Sequence, residues 1–174
     1  MAAEVFKIVG LCLVAAMGYG VVHDQITARI CVEYFTVGHD NPFPTDSPTL
    51  LGLAWGIFAT WWVGLIIGVA LVVAARVGKR PKRTAASLVR PVLRLLAVMA
   101  VSALLAGVGG YVAAEFGVIK LNRYLAERLP TSRHAAFLTC GASHLASYWV
   151  GFVGGGIQMA VIFVGRKRGG GAAV

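Results

Sequence analysis

Charged residues are scarce in this 174-residue sequence. Asp, Glu, Lys and Arg make up 13% of it, against roughly 25% in ordinary soluble domains. Hydrophobic residues account for 58%. Because a soluble domain needs a charged surface, this composition argues against a soluble fold and indicates a membrane protein.

Short motifs of common enzyme classes are also missing. The sequence has no CxxC, HxxxH or ExxH spacing, so no metal-binding pattern is visible within one segment. The glycines at positions 154–156 lack the strand and the lysine of a phosphate-binding loop. The sequence therefore gives no indication of a P-loop, dinucleotide-binding or Ser-nucleophile enzyme.

Long uncharged stretches are present instead. Asp, Glu, Lys and Arg are absent from residues 8–23, 47–75, 95–114 and 134–165. A membrane-spanning helix needs about 20 mostly apolar residues. We therefore predict an all-α, integral membrane four-helix bundle that forms a single domain over residues 1–168. The predicted spans cover residues 5–22, 48–75, 91–115 and 134–165. Residues 169–174 are predicted to be a disordered tail.

The distribution of charge predicts how the bundle is oriented. The formal net charge is +9, and in a four-span chain the two ends and the middle loop lie on one side. That side carries 11 basic residues and one acid, Glu4, whereas the other carries five basic and six acidic residues. By the positive-inside rule, both termini are cytoplasmic. The net basic charge thus indicates topology first and attraction to anionic lipid second, so we expect the lipid bilayer as the partner and no nucleic-acid binding.

The first span has an alternative interpretation as a cleaved signal peptide. Lys7 precedes an apolar run, and Val14-Ala15-Ala16 resembles a small-residue cleavage site. Glu4 weakens the positive segment that such peptides carry, which favours a retained span.

Small residues recur every four positions in three of the spans. They are Gly52, Gly56, Thr60, Gly64 and Gly68 in the second, Ser102, Ala106, Gly110 and Ala114 in the third, and Ser143, Ser147, Gly151 and Gly155 in the fourth. Such stripes allow helices to approach closely in lipid. They serve either as contacts within one chain or as surfaces for a second copy or another membrane protein.

The side opposite the termini is predicted to carry a small helical cap. Residues 24–37 contain no helix breaker and can continue the first span, with Arg29 and Glu33 paired at i, i+4. Residues 118–129 have an amphipathic pattern that predicts a helix after the third span. Residues 38–47 are rich in Pro, Asn, Asp and Gly and are predicted to be a loop.

Histidine and acidic side chains gather on this outer side. The candidate metal ligands are His23, Glu33, His39 and His144, a set that suits a transition metal such as zinc, copper or iron. His144 lies within a span, where ionisable groups are rare and often functional. The alternative is structural: His144 bonds to a neighbouring helix, Arg29 pairs with Glu33, and His39 lies in solvent.

The three cysteines lie at different depths. Cys12 falls in the middle of the first span, where it suits packing. Cys31 and Cys140 both fall on the outer side, which is oxidising if it faces the periplasm. They are therefore either a disulfide pair or two free thiols, and a pair requires Cα atoms within about 7 Å.

Three segments carry a resemblance to a known family. They are HDQITARICVEYFTVGH at residues 23–39, PTLLGLAWGIFATWWVGLIIG at 48–68 and HLASYWVGFVGG at 144–155. Together they resemble a family of small, uncharacterised bacterial membrane proteins with four helices. The resemblance implies a bacterial inner-membrane protein, and it assigns no activity and no functional residue.

Three classes of function are compatible with these features. The first is an accessory or structural membrane subunit with an outward-facing polar site, and it is the class that we favour from sequence. The second is a metal-binding or redox membrane enzyme that uses His23, Glu33, His39 and His144. The third is a transporter or channel for small solutes, which ranks last because the sequence shows no convincing internal repeat and no charge buried deep in several spans.

Overall fold

The fold was obtained as a computed structural model, which describes residues 2–166 of the chain. The regular secondary structure of these residues is entirely helical, with no strand. The helices are α1 (Ala2–Ile30), α2 (Glu33–Thr36), α3 (Pro48–Phe58), α4 (Trp61–Arg76), α5 (Ala85–Glu115), α6 (Arg123–Ala126) and α7 (His134–Gly165), with a 3-10 turn at Thr131–Arg133 before α7. The predicted tail at 169–174 lies outside the described residues.

Four helical segments are long and apolar enough to cross a membrane. They are Ala2–Ile30, Pro48–Arg76, Ala85–Glu115 and Thr131–Gly165. The prediction of four apolar helices is therefore confirmed. Large apolar side chains such as Leu104 and Leu105, each 67% exposed, cover the outside of the helices. Such a surface suits lipid and not water, so the helices indicate a multi-pass membrane protein.

The second span begins as its sequence predicts. Ser47 has an extended backbone, and its side chain accepts a hydrogen bond from the Leu50 amide. Pro48 occupies the first helical position, where no amide donor is needed.

The start of the third span differs from the predicted boundary at residue 91. α5 begins at Ala85, after Thr84, whose side chain accepts from the Ser87 amide. The carboxylate of Glu4 accepts from the Ala85 amide at 2.9 Å, which satisfies another free donor of the first turn. Pro91 consequently lies inside the helix and not at its start.

The second span is interrupted, which the sequence analysis did not predict. α3 ends at Phe58 and α4 begins at Trp61. The Thr60 hydroxyl donates to the Gly56 carbonyl within the preceding turn, a side-chain bond that competes with regular helix geometry. The interruption lies at the closest approach to α1, where Gly56 meets Gly20 and Val21.

Glycine allows α1 to pack directly against the second span. A Cβ at Gly56 would lie 2.5 Å from the Val21 backbone, and one at Gly64 would lie 2.9 Å from the Cys12 carbonyl oxygen. On the other side of the bundle, α5 packs against α7, where the Ser143 hydroxyl donates to the Ala103 carbonyl. The small-residue stripes thus make contacts within the chain.

The two ends of the chain meet the α4–α5 loop at one end of the bundle. Arg166 is 1% exposed, and its guanidinium donates to the backbone carbonyls of Ala74, Val77, Arg80 and Pro81. Because Glu4 also bonds to Ala85, the N-terminal segment, the loop and the end of α7 lie together, as an even number of spans requires.

The predicted extension of the first span is correct only as far as Ile30. There the helix ends, and Arg133 donates to the Ile30 carbonyl at 3.2 Å and to both carboxylate oxygens of Glu33 at 2.8 and 2.9 Å. The predicted Arg29–Glu33 pair is therefore wrong. Arg29 instead donates to the side chains of Gln25 and Thr49.

The predicted helix after the third span is also shorter than expected. Gly117 adopts a φ of +68°, a left-handed conformation that glycine tolerates and that ends α5. Of the predicted segment, only α6 is helical, and the Asn122 side chain caps it through the Leu125 amide. Leu121 and Leu125 still pack against a buried cluster of Cys31, Leu129, Phe137 and Cys140, so the short helices do cover one end of the bundle.

Candidate metal centre

Three ionisable side chains from two distant segments converge inside the bundle. His23 and Asp24 lie on α1, and His144 lies on α7, roughly three turns from its start. One ligand atom of each residue lies within 4.8 Å of the other two. Asp24 and His144 are 5% and 7% exposed, so the group is well shielded from solvent.

Hydrogen bonds fix the orientation of the His144 ring. Its Nδ1 lies 2.8 Å from the Cys140 carbonyl oxygen, and its Nε2 lies 3.1 Å from Oδ1 of Asp24. A carbonyl can only accept, so Nδ1 carries a hydrogen and donates it. The hydrogen between Nε2 and Asp24 then belongs either to an imidazolium or to a protonated carboxyl group.

His23 completes the group with a nitrogen that has no protein partner. Its Nε2 is buried and makes no hydrogen bond. The ring stacks on Tyr19 with centroids 5.7 Å apart, and it meets the His144 ring edge-on at 4.5 Å. A buried nitrogen without a partner costs free energy, and a bound ligand would remove that cost.

The three side chains are suitable ligands for a transition metal. Two imidazoles and one carboxylate form the donor set of several zinc and non-haem iron sites. His144 also has the arrangement that metal-bound histidines usually show, in which the second ring nitrogen donates to a backbone carbonyl. Loss of the shared hydrogen to solvent would free Nε2 and the Asp24 carboxylate to bind a metal ion.

A cavity adjoins the three residues and would leave a coordination position open. It lies between α1, α4, α5 and α7, and His23, Asp24 and His144 form part of its wall. Its volume is about 110 Å³, well above the roughly 10–15 Å³ that one water needs. Three protein ligands and one open position are typical of catalytic zinc sites.

Glu33 and His39 are placed differently from the other predicted ligands. Arg133 engages both oxygens of Glu33, and this bonding holds the pKa of Glu33 below its ordinary value. His39 is exposed on one side and lies against the rings of Tyr34 and Trp55 on the other, and this partial loss of solvent lowers its pKa. Of the four predicted ligands, the structure brings together His23 and His144, whereas Glu33 and His39 lie outside the group of ligand atoms.

Asp24 was named in no predicted ligand set, although it is the carboxylate in contact with His144. The signal in the sequence was its position beside His23, close to the end of a span. Neighbouring residues on a helix point about 100° apart, so adjacency alone did not indicate that both side chains face α7. Gly52 helps to place Asp24, because a Cβ there would lie 2.9 Å from the Asp24 backbone.

Cys31 and Cys140 lie in the same buried cluster. Both are free thiols in this structure, and Cys31 donates to Glu33 while Cys140 donates to the Thr27 carbonyl. Burial raises the pKa of Cys31 to about 11, so its thiol is a weak nucleophile at neutral pH. The disulfide alternative stays a prediction.

Comparison with known proteins gives no match among family models, curated proteins or solved structures.

Proposed function

We propose that this chain is a membrane metalloprotein in which His23, Asp24 and His144 bind a divalent transition metal ion. The observation that carries the proposal is the convergence of three ligand atoms within 4.8 Å, from segments 120 residues apart in sequence. Ionisable groups within membrane spans are rare, and they are associated with function more often than with packing.

The proposed metal would supply Lewis-acid chemistry or activate a bound water at its open position. The side chains of Tyr19 and Ser147 lie in the cavity wall and bond to each other at 2.7 Å. They offer hydroxyl groups in the wall of the same cavity that the three proposed ligands line. The geometry thus supports the metal-binding or redox class of function, which the sequence placed second.

Metal analysis of detergent-purified protein tests the proposal. We expect stoichiometric zinc, iron or copper in the wild type and its loss in both His23→Ala and His144→Ala. His134→Ala is the matched control, because its Nε2 bonds only to the Leu129 carbonyl and lies outside the group. Equal metal content in all four proteins, or none in correctly folded wild type after incubation with each metal, would refute the site.

A transporter is a second candidate, and one observation favours it. The second span has one irregular turn at Ala59 and Thr60, which keep right-handed helical backbone angles, and both residues line the cavity beside the metal centre. Discontinuous helices beside a binding site are typical of secondary transporters. Uptake of the bound metal into proteoliposomes would support this candidate, whereas tight binding without uptake would favour an enzyme.

An accessory or structural subunit is the function that remains if the protein binds no metal. The small-residue stripes offer this alternative little support, because their glycines and serines are engaged within the chain. Association with itself or with another membrane protein would have to use the lipid-facing side chains instead. Crosslinking in native membranes, followed by mass determination, distinguishes these cases.

We further propose that the protein lies in the inner membrane of a bacterium, with both termini in the cytoplasm. The positive-inside rule supports this orientation, since the end of the bundle with the termini carries most of the basic residues. The metal centre would then lie nearer the outer face, below the α1–α3 loop.

A further inference from the structure

The cavity beside the metal centre changes in polarity along its length. Polar side chains line the end next to the three proposed ligands, where Tyr19, Ser147 and Tyr148 are found. Farther along, apolar side chains such as Leu71, Leu95 and Met159 form most of its wall, with the polar Gln158 among them. A molecule that fills this space therefore needs one polar end and an apolar body.

The cavity is elongated in the direction of the helices. Along α1, its lining residues extend from Asp24 to Cys12, which corresponds to about 18 Å at 1.5 Å per residue. This length exceeds what a compact solute occupies and is suited to an alkyl chain that lies parallel to the helices.

Charge determines the kind of polar end that fits. Among the described residues that line the cavity, Asp24 is the single carboxylate, and none is Lys or Arg. A divalent cation held by two neutral imidazoles and one carboxylate would keep a net charge of +1. In surroundings of low polarity, an anionic ligand at the open position would neutralise that charge.

The wall of the cavity is also part of the lipid-facing surface. Phe152 lines the cavity from α7 and is 55% exposed within a membrane-spanning segment. Tyr148, one turn earlier, also lines it and is 46% exposed. On the route that we infer, a membrane-dissolved molecule enters past these two α7 side chains without crossing water.

We propose that the metal centre takes a single-chain amphiphile with an anionic head group that binds the metal, in the simplest case a medium- or long-chain carboxylate. The head would lie at His23, Asp24 and His144, and the chain would lie along Leu71 and Leu95. This inference rests on the proposed metal site, since it is the metal that supplies the positive charge.

Cobalt-loaded protein provides a direct test, because the visible absorption of Co²⁺ changes when its fourth ligand changes. The protein is kept in a sugar-headed detergent, which has no anionic head group. We expect decanoate to change the cobalt spectrum at a concentration at least about a hundredfold lower than acetate, which requires burial of only about three to four of its methylenes at about 0.8 kcal/mol each. Decanol, which has a similar chain and no charge, is expected to have little effect.

Two variants on α4 distinguish the contribution of the cavity to ligand binding from the contribution of the metal. Val63→Phe fills the cavity wall, whereas Val69→Phe adds the same ring on the lipid-facing side, where Val69 is 53% exposed and does not line the cavity. We expect Val63→Phe to bind cobalt normally and to lose the preference for decanoate over acetate, and Val69→Phe to keep both.

The outcomes distinguish the two proposals. Absence of a cobalt spectrum in folded wild-type protein would overturn the metal site and the ligand class together. A normal cobalt spectrum with equal responses to acetate and decanoate would overturn the ligand class and leave the metal site standing. A decanoate preference that persists in Val63→Phe would place the chain outside this cavity and would also overturn the inference.

Discussion

His144 and Asp24 are 120 residues apart in sequence, and Nε2 of the histidine lies 3.1 Å from a carboxylate oxygen of the aspartate inside the bundle. Because His144 must donate its other hydrogen to Cys140, the pair holds one hydrogen that either partner can carry. This contact joins α1 to α7 and lies at the centre of the proposed metal site.

Substitution of Asp24 separates its structural role from metal binding. In Asp24→Asn the amide can donate to Nε2 of His144, so we expect the free energy of unfolding to fall by only about 1 kcal/mol. In Asp24→Leu the histidine nitrogen loses its partner, and we expect a loss of about 2–4 kcal/mol. Both variants should lose most metal affinity, since an amide is a poor ligand for zinc or iron.

Thermal unfolding in detergent and metal titration measure the two effects. Metal affinity in Asp24→Asn equal to that of the wild type would exclude Asp24 as a ligand, even if the pair with His144 is real.

Gly56 is predicted to be essential for the contact between α1 and α3. A methyl group there would lie 2.5 Å from the Val21 backbone, so the helices must separate in Gly56→Ala. We expect a loss of about 1–3 kcal/mol in the free energy of unfolding. Gly18→Ala is the matched control, because a Cβ at Gly18 meets nothing within 4 Å. A similar stability for both variants would contradict the close approach of the two helices.

The Glu33–Arg133 ion pair should make stability depend on pH at the end of the bundle that carries the short helices α2 and α6. Arg133 lowers the pKa of Glu33, so this contribution is present above the ordinary glutamate pKa of about 4.3 and is lost as the pH falls through the lower folded value. We expect Glu33→Gln to reduce the thermal midpoint at pH 7 by about 2–4 °C and to remove this part of the acid sensitivity.

Glu127→Gln is the control for that experiment. Glu127 pairs with Arg123 in an exposed position, with side-chain exposures of 63% and 91%, and such pairs contribute little. Equal thermal midpoints for Glu33→Gln and the wild type at pH 7 would show that the Glu33–Arg133 pair does not stabilise this end of the bundle.

The proposed orientation can be tested by labelling introduced cysteines in whole cells. A membrane-impermeant maleimide should react with Asp40→Cys in intact cells and with Lys79→Cys only after lysis. The three native cysteines are buried, so they should contribute a low background. The reverse pattern of labelling would place the termini outside.

Counting of thiols decides between the two predicted states of Cys31 and Cys140. In folded protein, we expect slow alkylation of Cys31, because its raised pKa leaves little thiolate at neutral pH. After unfolding without a reductant, alkylation of all three cysteines would indicate free thiols. Alkylation of Cys12 alone would indicate a disulfide.

Much of the fold was predictable because it depends on local composition. The absence of charge over long stretches predicted the four spans, and Ser47 with Pro48 predicted where the second begins. The interruption at Ala59 and Thr60 was not predictable, since threonine is common in regular membrane helices. It depends on the Thr60 hydroxyl bond to Gly56, at the place where α1 approaches.

The candidate site was predictable only in part. The sequence indicated that histidines and acids gather near one end, and His23 and His144 do meet there. It could not indicate which carboxylate joins them, because Asp24 and Glu33 both lie near the end of the first span. The tertiary structure decided between them: Arg133 engages Glu33 outside the bundle, and close packing at Gly52 and Gly20 holds Asp24 against His144. The length of an apolar stretch is a property of one segment and is visible in the sequence. The partner of a charged side chain depends on which helices become neighbours, and this only the tertiary structure decides.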